Sequence, residues 1–198
     1  MKLIIVRHGE THENVKKIIQ GWTVGTLNEK GKEQAKKVAL RLKNEKIDII
    51  YSSDLERTIE TAKEILKYHL DISIIPEKAL RERNSSIFEG KKWEDKKAFL
   101  QKHNIQDLKY RPEGGESTLD VQERVVAFYK KIIQMHSKQT VLLVSHGGPL
   151  TLLYLYIFKK NIEEYRTYHP QNTAVSILEI DETKKHTVHI LNCVKHLG

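Results

Sequence analysis

The chain is poor in the features that mark secreted and membrane proteins. Cys193 is the single cysteine among 198 residues, which excludes an internal disulfide framework and suits a reducing compartment. No apolar run approaches the roughly 20 residues that a membrane-spanning helix needs. The apolar run after Lys2 lasts four residues and stops at Arg7, which is too short for the core of a signal peptide. We therefore expect a cytoplasmic protein that does not bind membranes.

Other absences limit the organisation and the chemistry. The chain has no tract rich in glycine, proline or serine and no internal repeat, so we predict a single domain over residues 1–198. A Walker-type glycine-rich loop is missing, which argues against an ATP-binding phosphotransferase. Cys193 has no arginine six residues later, so the pattern of a cysteine-dependent phosphatase is missing too.

The chain is basic. It carries 34 Lys and Arg against 26 Asp and Glu, a formal net charge of +8, and its calculated isoelectric point is near 9.4. This balance favours an anionic partner, either a nucleic acid or a small phosphorylated metabolite. The lysines are spread along amphipathic helices, and no basic tract is interleaved with aromatic residues. Charge alone favours neither partner strongly, and the motifs below lead us to predict a phosphorylated metabolite and no nucleic acid.

Two apolar strands end in the same His-Gly pair. Residues 3–6 run into Arg7-His8-Gly9, and residues 140–145 run into His146-Gly147. The carboxyl ends of parallel strands meet at one edge of a sheet, where ligands of open α/β sheets usually bind. The two pairs are therefore predicted to lie side by side, and Gly9 is expected to allow a sharp turn and a close approach to a ligand.

The remaining pattern alternates strands with helices. We predict further strands over 47–51, 72–75, 174–180 and 186–193, and helices over 29–44, 54–69, 91–103 and 148–159, with a long helix from residue 117 whose core stripe ends at Met135. This alternation predicts an α/β, three-layer fold with a largely parallel central sheet, helices on both faces and a C-terminal antiparallel hairpin.

Motifs along almost the whole chain carry a family resemblance. In chain order they are Arg7-His8-Gly9-Glu10-Thr11 with Asn14, Gln20-Gly21-Trp22, Leu27 through Gly31, Tyr51 through Leu55 with Arg57 and Thr61-Ala62, Leu80-Arg81-Glu82 with Glu89-Gly90, Pro112 through Ser117, Val144 through Gly148, and Asn172. Together they resemble the histidine phosphatase superfamily, in the branch shared with cofactor-dependent phosphoglycerate mutases.

The resemblance implies an active-site core of Arg7, His8, Arg57 and His146, with His8 phosphorylated during the reaction. Two arginines suit this role, since guanidinium groups bind the oxygens of a phosphate dianion in pairs. A neutral imidazole can attack phosphorus without first losing a proton. By chemistry alone, the sequence does not decide whether His8 or His146 attacks. The resemblance makes His8 the nucleophile and His146 a phosphate-binding partner.

Glu82 matches the general acid of the family, which protonates the leaving alkoxide. The family loop that follows usually reads aromatic-Gly-acidic-aromatic-Glu-Gly, whereas this chain has Ser85-Ser86-Ile87-Phe88-Glu89-Gly90. This departure is expected to change the loop beside the active site and the substrate preference. A secondary set of residues is predicted to bind phosphate or substrate: Asn14, Gln20, Gly21 and Gly147.

These observations predict a metal-independent phosphatase without a cofactor, acting on small phosphate monoesters. A phosphoglycerate mutase and a non-catalytic phosphate-binding protein are the alternatives, and a homodimer is one candidate assembly. The mutases of the family are longer, and we expect the short, polar segment 77–116 to leave the pocket open to water. Zinc held by His8 and His12 is disfavoured, because no helix is expected there to bring both onto one face.

Overall fold

The computed structural model describes residues 1–198, which form one mixed six-stranded sheet. The strands are β1 (Lys2–Arg7), β2 (Ile49–Ser52), β3 (Ile74–Pro76), β4 (Thr140–Ser145), β5 (Val175–Ile180) and β6 (His186–Cys193). Their order across the sheet is β3-β2-β4-β1-β5-β6. The first four run parallel, and β5 and β6 are antiparallel to their neighbours. The predicted fold class, including the closing hairpin, is confirmed.

Helices cover both faces of the sheet. They are α1 (His12–Lys16), α2 (Glu29–Leu42), α3 (Glu56–Leu66), α4 (Trp93–Lys102), α5 (Thr118–Met135), α6 (Gly147–Ile157) and α7 (Tyr165–Tyr168). Helices α2 and α3 share one apolar cluster with the sheet, and α5 and α6 share the other. No helix is both long and apolar enough to span a bilayer.

The central strands are apolar throughout because both of their faces are buried. In β1, Leu3 and Ile5 point into the cluster with α5 and α6, while Ile4 and Val6 point into the cluster with α2 and α3. All four side chains are fully buried. Successive side chains of a strand point to opposite faces, so a strand between two helical layers needs an apolar residue at every position.

The register of β1 and β4 brings the two His-Gly pairs together. The strands pair in parallel with Arg7 opposite Ser145, so His8 and His146 leave the sheet at the same level. Strand β2 lies on the other side of β4, with Ser52 opposite Val144. The prediction that the two pairs lie side by side is confirmed.

The expectation that no helix follows Gly9 is wrong, because α1 begins at His12. Thr11 caps this helix: its Oγ1 accepts from the Asn14 amide at 3.1 Å, and Asn14 Oδ1 accepts from the Thr11 amide at 3.2 Å. Five residues are too few for a helical periodicity to show in a sequence, whereas this reciprocal cap is a local signal. His8 lies before the helix, so His8 and His12 do not share a helical face.

Smaller differences occur at the ends of elements. Met135 is 56% exposed, since α5 ends there and its last turn extends beyond the core. Pro76, which was expected to follow the third strand, is its last residue and pairs with Ser52, and a proline is tolerated there because β3 is an edge strand. A Cβ at Gly9 would come within 2.5 Å of the Gly31 carbonyl oxygen, so this glycine also lets α2 approach β1 closely.

Candidate active site

A cavity of about 440 Å³ opens at the carboxyl edge of the sheet. Arg7, His8, Arg57 and Glu82 all line it, although they come from three separate segments of the chain. The N-terminus of α6 also reaches its wall, through Gly147 and Gly148. The amide groups of a helix N-terminus attract anions, so the predicted phosphate residues and this helix end converge on one space.

His8 is held in a single orientation with one ring nitrogen unused. The side chain is 2% exposed, and its Nδ1–H donates to the Gly9 carbonyl oxygen at 2.6 Å. The carbonyl can only accept, so the proton of the neutral ring is on Nδ1 and Nε2 keeps its lone pair. Burial and the charges of Arg57 and Arg7 hold the pKa of His8 well below its usual value. The imidazole is therefore neutral at pH 7.

Arg57 is buried and fixed by three contacts. Its Nη2 donates to the Gly21 carbonyl at 2.8 Å, its Nη1 to the Thr23 carbonyl at 3.4 Å, and its Nε to His146 Nδ1 at 3.2 Å. Burial lowers the pKa of Arg57 to about 10, which leaves the guanidinium charged at pH 7. Gly21, predicted to bind phosphate or substrate, uses its carbonyl to orient this arginine.

Arg7 has an unmet donor. Its Nη1 donates to the Pro170 carbonyl at 2.7 Å, whereas its Nε–H is buried and has no acceptor within the chain. Burial lowers the pKa of Arg7, and the nearby carboxylate of Glu82 opposes that effect. A buried donor without a partner is rare in proteins, and a bound anion is one way to satisfy it.

His146, which is predicted to bind phosphate, lies beside His8 and is held by contacts within the chain. Its ring is fully buried and does not line the cavity. Nδ1 accepts from Arg57, so Nε2 carries the proton and donates to Ser53 Oγ at 2.8 Å. Its ring centroid lies 5.2 Å from that of His8. Both ring nitrogens are thus used within the chain, and in this arrangement His146 positions Arg57 and touches no ligand space.

The Glu82 carboxylate lies beside the N-terminus of α6 in the cavity wall. One carboxylate oxygen accepts from the Arg83 amide at 2.9 Å and the other accepts weakly from the Gly148 amide at 3.4 Å. A Cβ at Gly148 would lie 2.4 Å from the first of these oxygens, so the glycine makes room for the carboxylate. The backbone carbonyl of Glu82 accepts hydrogen bonds from Trp22 Nε1 at 2.7 Å and from Arg124 Nη2 at 2.9 Å, which hold this part of the backbone in place.

The secondary predicted residues Asn14, Gln20 and Gly147 also line the cavity. The side-chain oxygen of Asn14 accepts from the Thr11 amide and from Asn172 Nδ2. This leaves the side-chain NH₂ group of Asn14 for a ligand. Gln20 is 8% exposed, and its Oε1 is buried without a partner. A Cβ at Gly147 would lie 2.7 Å from His169 Nε2, so only glycine lets that ring approach.

The loop that departs from the family pattern is still anchored. Ser86 adopts φ 47°, a left-handed conformation that favours glycine, which is the residue of the family pattern. Glu89 Oε1 accepts from the amides of Ser85 and Trp22 at 3.0 and 2.9 Å. The backbone beside Glu82 therefore keeps a glycine-type turn, while Ser85 puts a small, buried side chain at the cavity wall.

Sequence reasoning missed several residues around the site. His169 and Tyr165 line the cavity, and Arg124 holds the Glu82 backbone. Thr61 Oγ1 accepts from the Gly9 amide at 3.1 Å and donates to the Arg57 carbonyl at 2.9 Å, which ties the loop after β1 to α3. The family motif contained Thr61 as a signal. No sequence signal pointed to His169, Tyr165 or Arg124, because they reach the site through contacts between segments far apart in the chain.

Comparison with known proteins agrees with this geometry. The family described as the histidine phosphatase superfamily (branch 1) matches residues 3–193. Phosphoserine phosphatase 1 of Hydrogenobacter thermophilus is 32% identical over 100% of this chain and 95% of its own. A 2,3-bisphosphoglycerate-dependent phosphoglycerate mutase of Bartonella henselae is 33% identical over 82% of this chain and 84% of its own. The solved structure of Bacillus stearothermophilus YhfR superposes with a TM-score of 0.89, at 31% identity, covering 100% of this chain and 99% of that one.

The fold, and the cavity at the carboxyl edge of its sheet, thus define an α/β protein with a positively charged site that suits an anion. The match of the family over nearly the full chain goes further: this protein belongs to the histidine phosphatase superfamily, branch 1.

The buried neutral state of His8 predicts a pH effect on stability. In the unfolded chain His8 takes up a proton near its usual pKa, whereas in the folded chain it does so only at much lower pH. The free energy of unfolding therefore falls as the pH drops below about 6.5. His8→Asn should reduce the slope of unfolding free energy against pH between pH 6 and 5 by up to about 1.4 kcal/mol per pH unit. Urea unfolding at several pH values measures it.

The matched control is His12→Asn, at an exposed position, which should keep the wild-type slope. An unchanged slope in His8→Asn would contradict a neutral buried His8.

Proposed function

We propose that this protein is a phosphomonoesterase that hydrolyses small phosphate esters through a phosphohistidine on His8. In the first step, His8 Nε2 forms a bond to phosphorus, the ester P–O bond breaks, and Glu82 gives its proton to the departing alkoxide. In the second step, Glu82 takes a proton from water, the water oxygen attacks phosphorus, and the P–N bond breaks. The products are an alcohol and inorganic phosphate, and His8 and Glu82 regain their starting states.

The observation that carries this proposal is the state of His8. Its Nδ1 is committed to the Gly9 carbonyl, and its Nε2 keeps a free lone pair at the wall of a cavity whose lining includes Arg7 and Arg57. A nucleophile has to be unprotonated, and burial together with the two positive charges holds His8 in that state. The same arrangement supports His8, and not His146, as the attacking residue, since both nitrogens of His146 are occupied.

Positive charge at the site comes from side chains and a helix end. Arg7 and Arg57 are fixed by carbonyl groups, and the first two residues of α6 line the same space. Donors that are held in place before the reaction stabilise the charge that spreads over the phosphoryl oxygens in the transition state. These groups supply the stabilisation that other phosphatases obtain from metal ions, so we propose that the reaction needs no metal.

The names of the relatives leave hydrolase and mutase as the two candidate activities. The chain covers 95% of the phosphoserine phosphatase relative and 84% of the mutase relative. A mutase has to exclude water and keep its product bound until the phosphoryl group returns. The coverage favours a hydrolase, and the short segment 77–116 supports the same choice.

The setting of the reaction is part of the proposal. The lone cysteine fits a reducing, cytoplasmic compartment, and the cationic cavity suits a phosphorylated metabolite better than a nucleic acid. We propose that residues 1–198 act as one domain.

Phosphate release tests the proposed activity directly. Purified protein should release inorganic phosphate from a panel of small phosphate esters, and exhaustive chelation should leave the rate unchanged. With 3-phosphoglycerate and a trace of 2,3-bisphosphoglycerate, little 2-phosphoglycerate should form. Activity that is lost on chelation and restored by a divalent ion would contradict the metal-free mechanism, and rapid isomerisation with negligible phosphate release would make the protein a mutase.

The role of Glu82 is tested by the leaving group. Glu82→Gln should lower kcat/KM for alkyl phosphates by about 10²- to 10⁴-fold, because their alkoxides need protonation. The loss should be much smaller for activated aryl phosphates, whose phenolates leave unaided. Steady-state kinetics on both ester types measure it, with Glu33→Gln, on the exposed face of α2, as the matched control. Equal losses on both types would show that Glu82 is not the acid.

A further inference from the structure

The cavity has one cation beyond the phosphate site. Three arginines line the whole cavity, namely Arg7, Arg57 and Arg83, and its two histidines are His8 and His169. Arg7 and Arg57 are assigned to the phosphoryl group. Some phosphate esters carry a second anionic group, such as a carboxylate on the alcohol. Outside the phosphate site, Arg83 is the one arginine of the cavity that such a group could pair with.

Arg83 is already paired. Its Nη1 donates to Asp107 Oδ1 at 2.9 Å and to Thr118 Oγ1 at 3.0 Å. Its Nε donates to the Glu116 carbonyl and its Nη2 to the Tyr110 carbonyl, each at 2.8 Å. Four of the five N–H groups of a guanidinium are thus used. No second carboxylate can bind Arg83 in the bidentate geometry without displacing these contacts.

Asp107 is the anion that occupies this position. Its Oδ1 also lies 2.9 Å from Lys96 Nζ, so one carboxylate serves two cations. Burial favours its protonated form, but Lys96 and Arg83 outweigh that effect and lower the pKa of Asp107, which keeps it ionised. The residue lines the cavity and its side chain is 47% exposed. Its charge therefore faces the space that a leaving group would enter.

No other side chain of the wall adds positive charge. Thr151 Oγ1 donates to the Gly147 carbonyl at 2.7 Å, and His169 Nδ1–H donates to that hydroxyl at 3.0 Å, so His169 Nε2 is an acceptor. Burial, with Arg7 nearby, lowers the pKa of His169 to about 4. Apolar side chains form much of the rest of the wall: Ile18, Leu108, Val121, Leu152 and Ile162.

We propose that Asp107 is a built-in counter-anion that makes the enzyme prefer phosphate esters whose alcohol carries no second anionic group. The proposal rests on the proposed phosphatase function and specifies its substrate class. A carboxylate on the leaving group would meet the Asp107 carboxylate and the acceptor nitrogen of His169, whereas the two cations beside Asp107 are paired with it and largely buried. A hydroxyl group can instead donate to either acceptor.

Two matched ester pairs test this selection. Glycerol 3-phosphate and 3-phosphoglycerate differ by a hydroxymethyl group in place of a carboxylate, and phosphoethanolamine differs from phosphoserine by the absence of the carboxylate. In the wild-type protein, kcat/KM should be higher for the carboxylate-free member of each pair by about tenfold or more. Equal values, or a preference for the carboxylated member, would overturn the proposal while leaving the phosphatase function intact. No phosphate release from any of the four esters would overturn both.

Asp107→Asn tests the residue itself. The change frees Arg83 and Lys96 to bind a substrate carboxylate, so the preference within each pair should shrink by about fivefold or more, mainly through a lower KM for the carboxylated ester. Glu33→Gln removes an equal charge from an exposed helix face and should leave both ratios unchanged. An unchanged ratio in a folded Asp107→Asn protein would contradict the role of Asp107. If this variant does not fold, the wild-type ratios alone decide.

Discussion

The site depends on the parallel pairing of β1 with β4. This pairing sets Arg7 opposite Ser145, so the residues that follow each strand leave the sheet at one level. His8 and His146 are 138 positions apart in the chain, yet their ring centroids lie 5.2 Å apart. A shift of the register by one residue would turn every side chain of the strand to the opposite face. The close packing of β1 and β4 side chains against both helical layers therefore fixes the position of His8, the proposed nucleophile.

The second constraint is the burial of two arginines beside two neutral imidazoles. Within the chain, Arg7 and Arg57 donate to carbonyl groups and to His146. Burying these charges is costly, and the carboxylate of Glu82 offsets that cost in part. In the proposed reaction a phosphate dianion supplies further negative charge. Burial and the two positive charges also keep His8 unprotonated, so the arrangement that would bind the anion also suits the proposed nucleophile.

The sequence predicted the fold and the centre of the site better than it predicted the surroundings. Apolar strands of four to six residues and amphipathic helices carry periodic signals, and His8 and Glu82 lie in motifs that resemble a family. Helix α1 is too short to show a period. The positioning of Arg57 by His146, and the pairing of Arg83 with Asp107, are contacts between segments far apart in the chain. No local pattern of residues encodes which of two buried nitrogens is already hydrogen bonded.

The central claim is that His8 Nε2 accepts the phosphoryl group, and trapping the intermediate tests it most directly. Protein mixed rapidly with a ³²P-labelled ester and quenched in alkali should carry an acid-labile, alkali-stable label. Peptide mass spectrometry should place this label on His8, and Glu82→Gln should still form it from an aryl phosphate. A label on His146, or phosphate release at full rate from a His8→Asn protein that carries no label, would contradict the account.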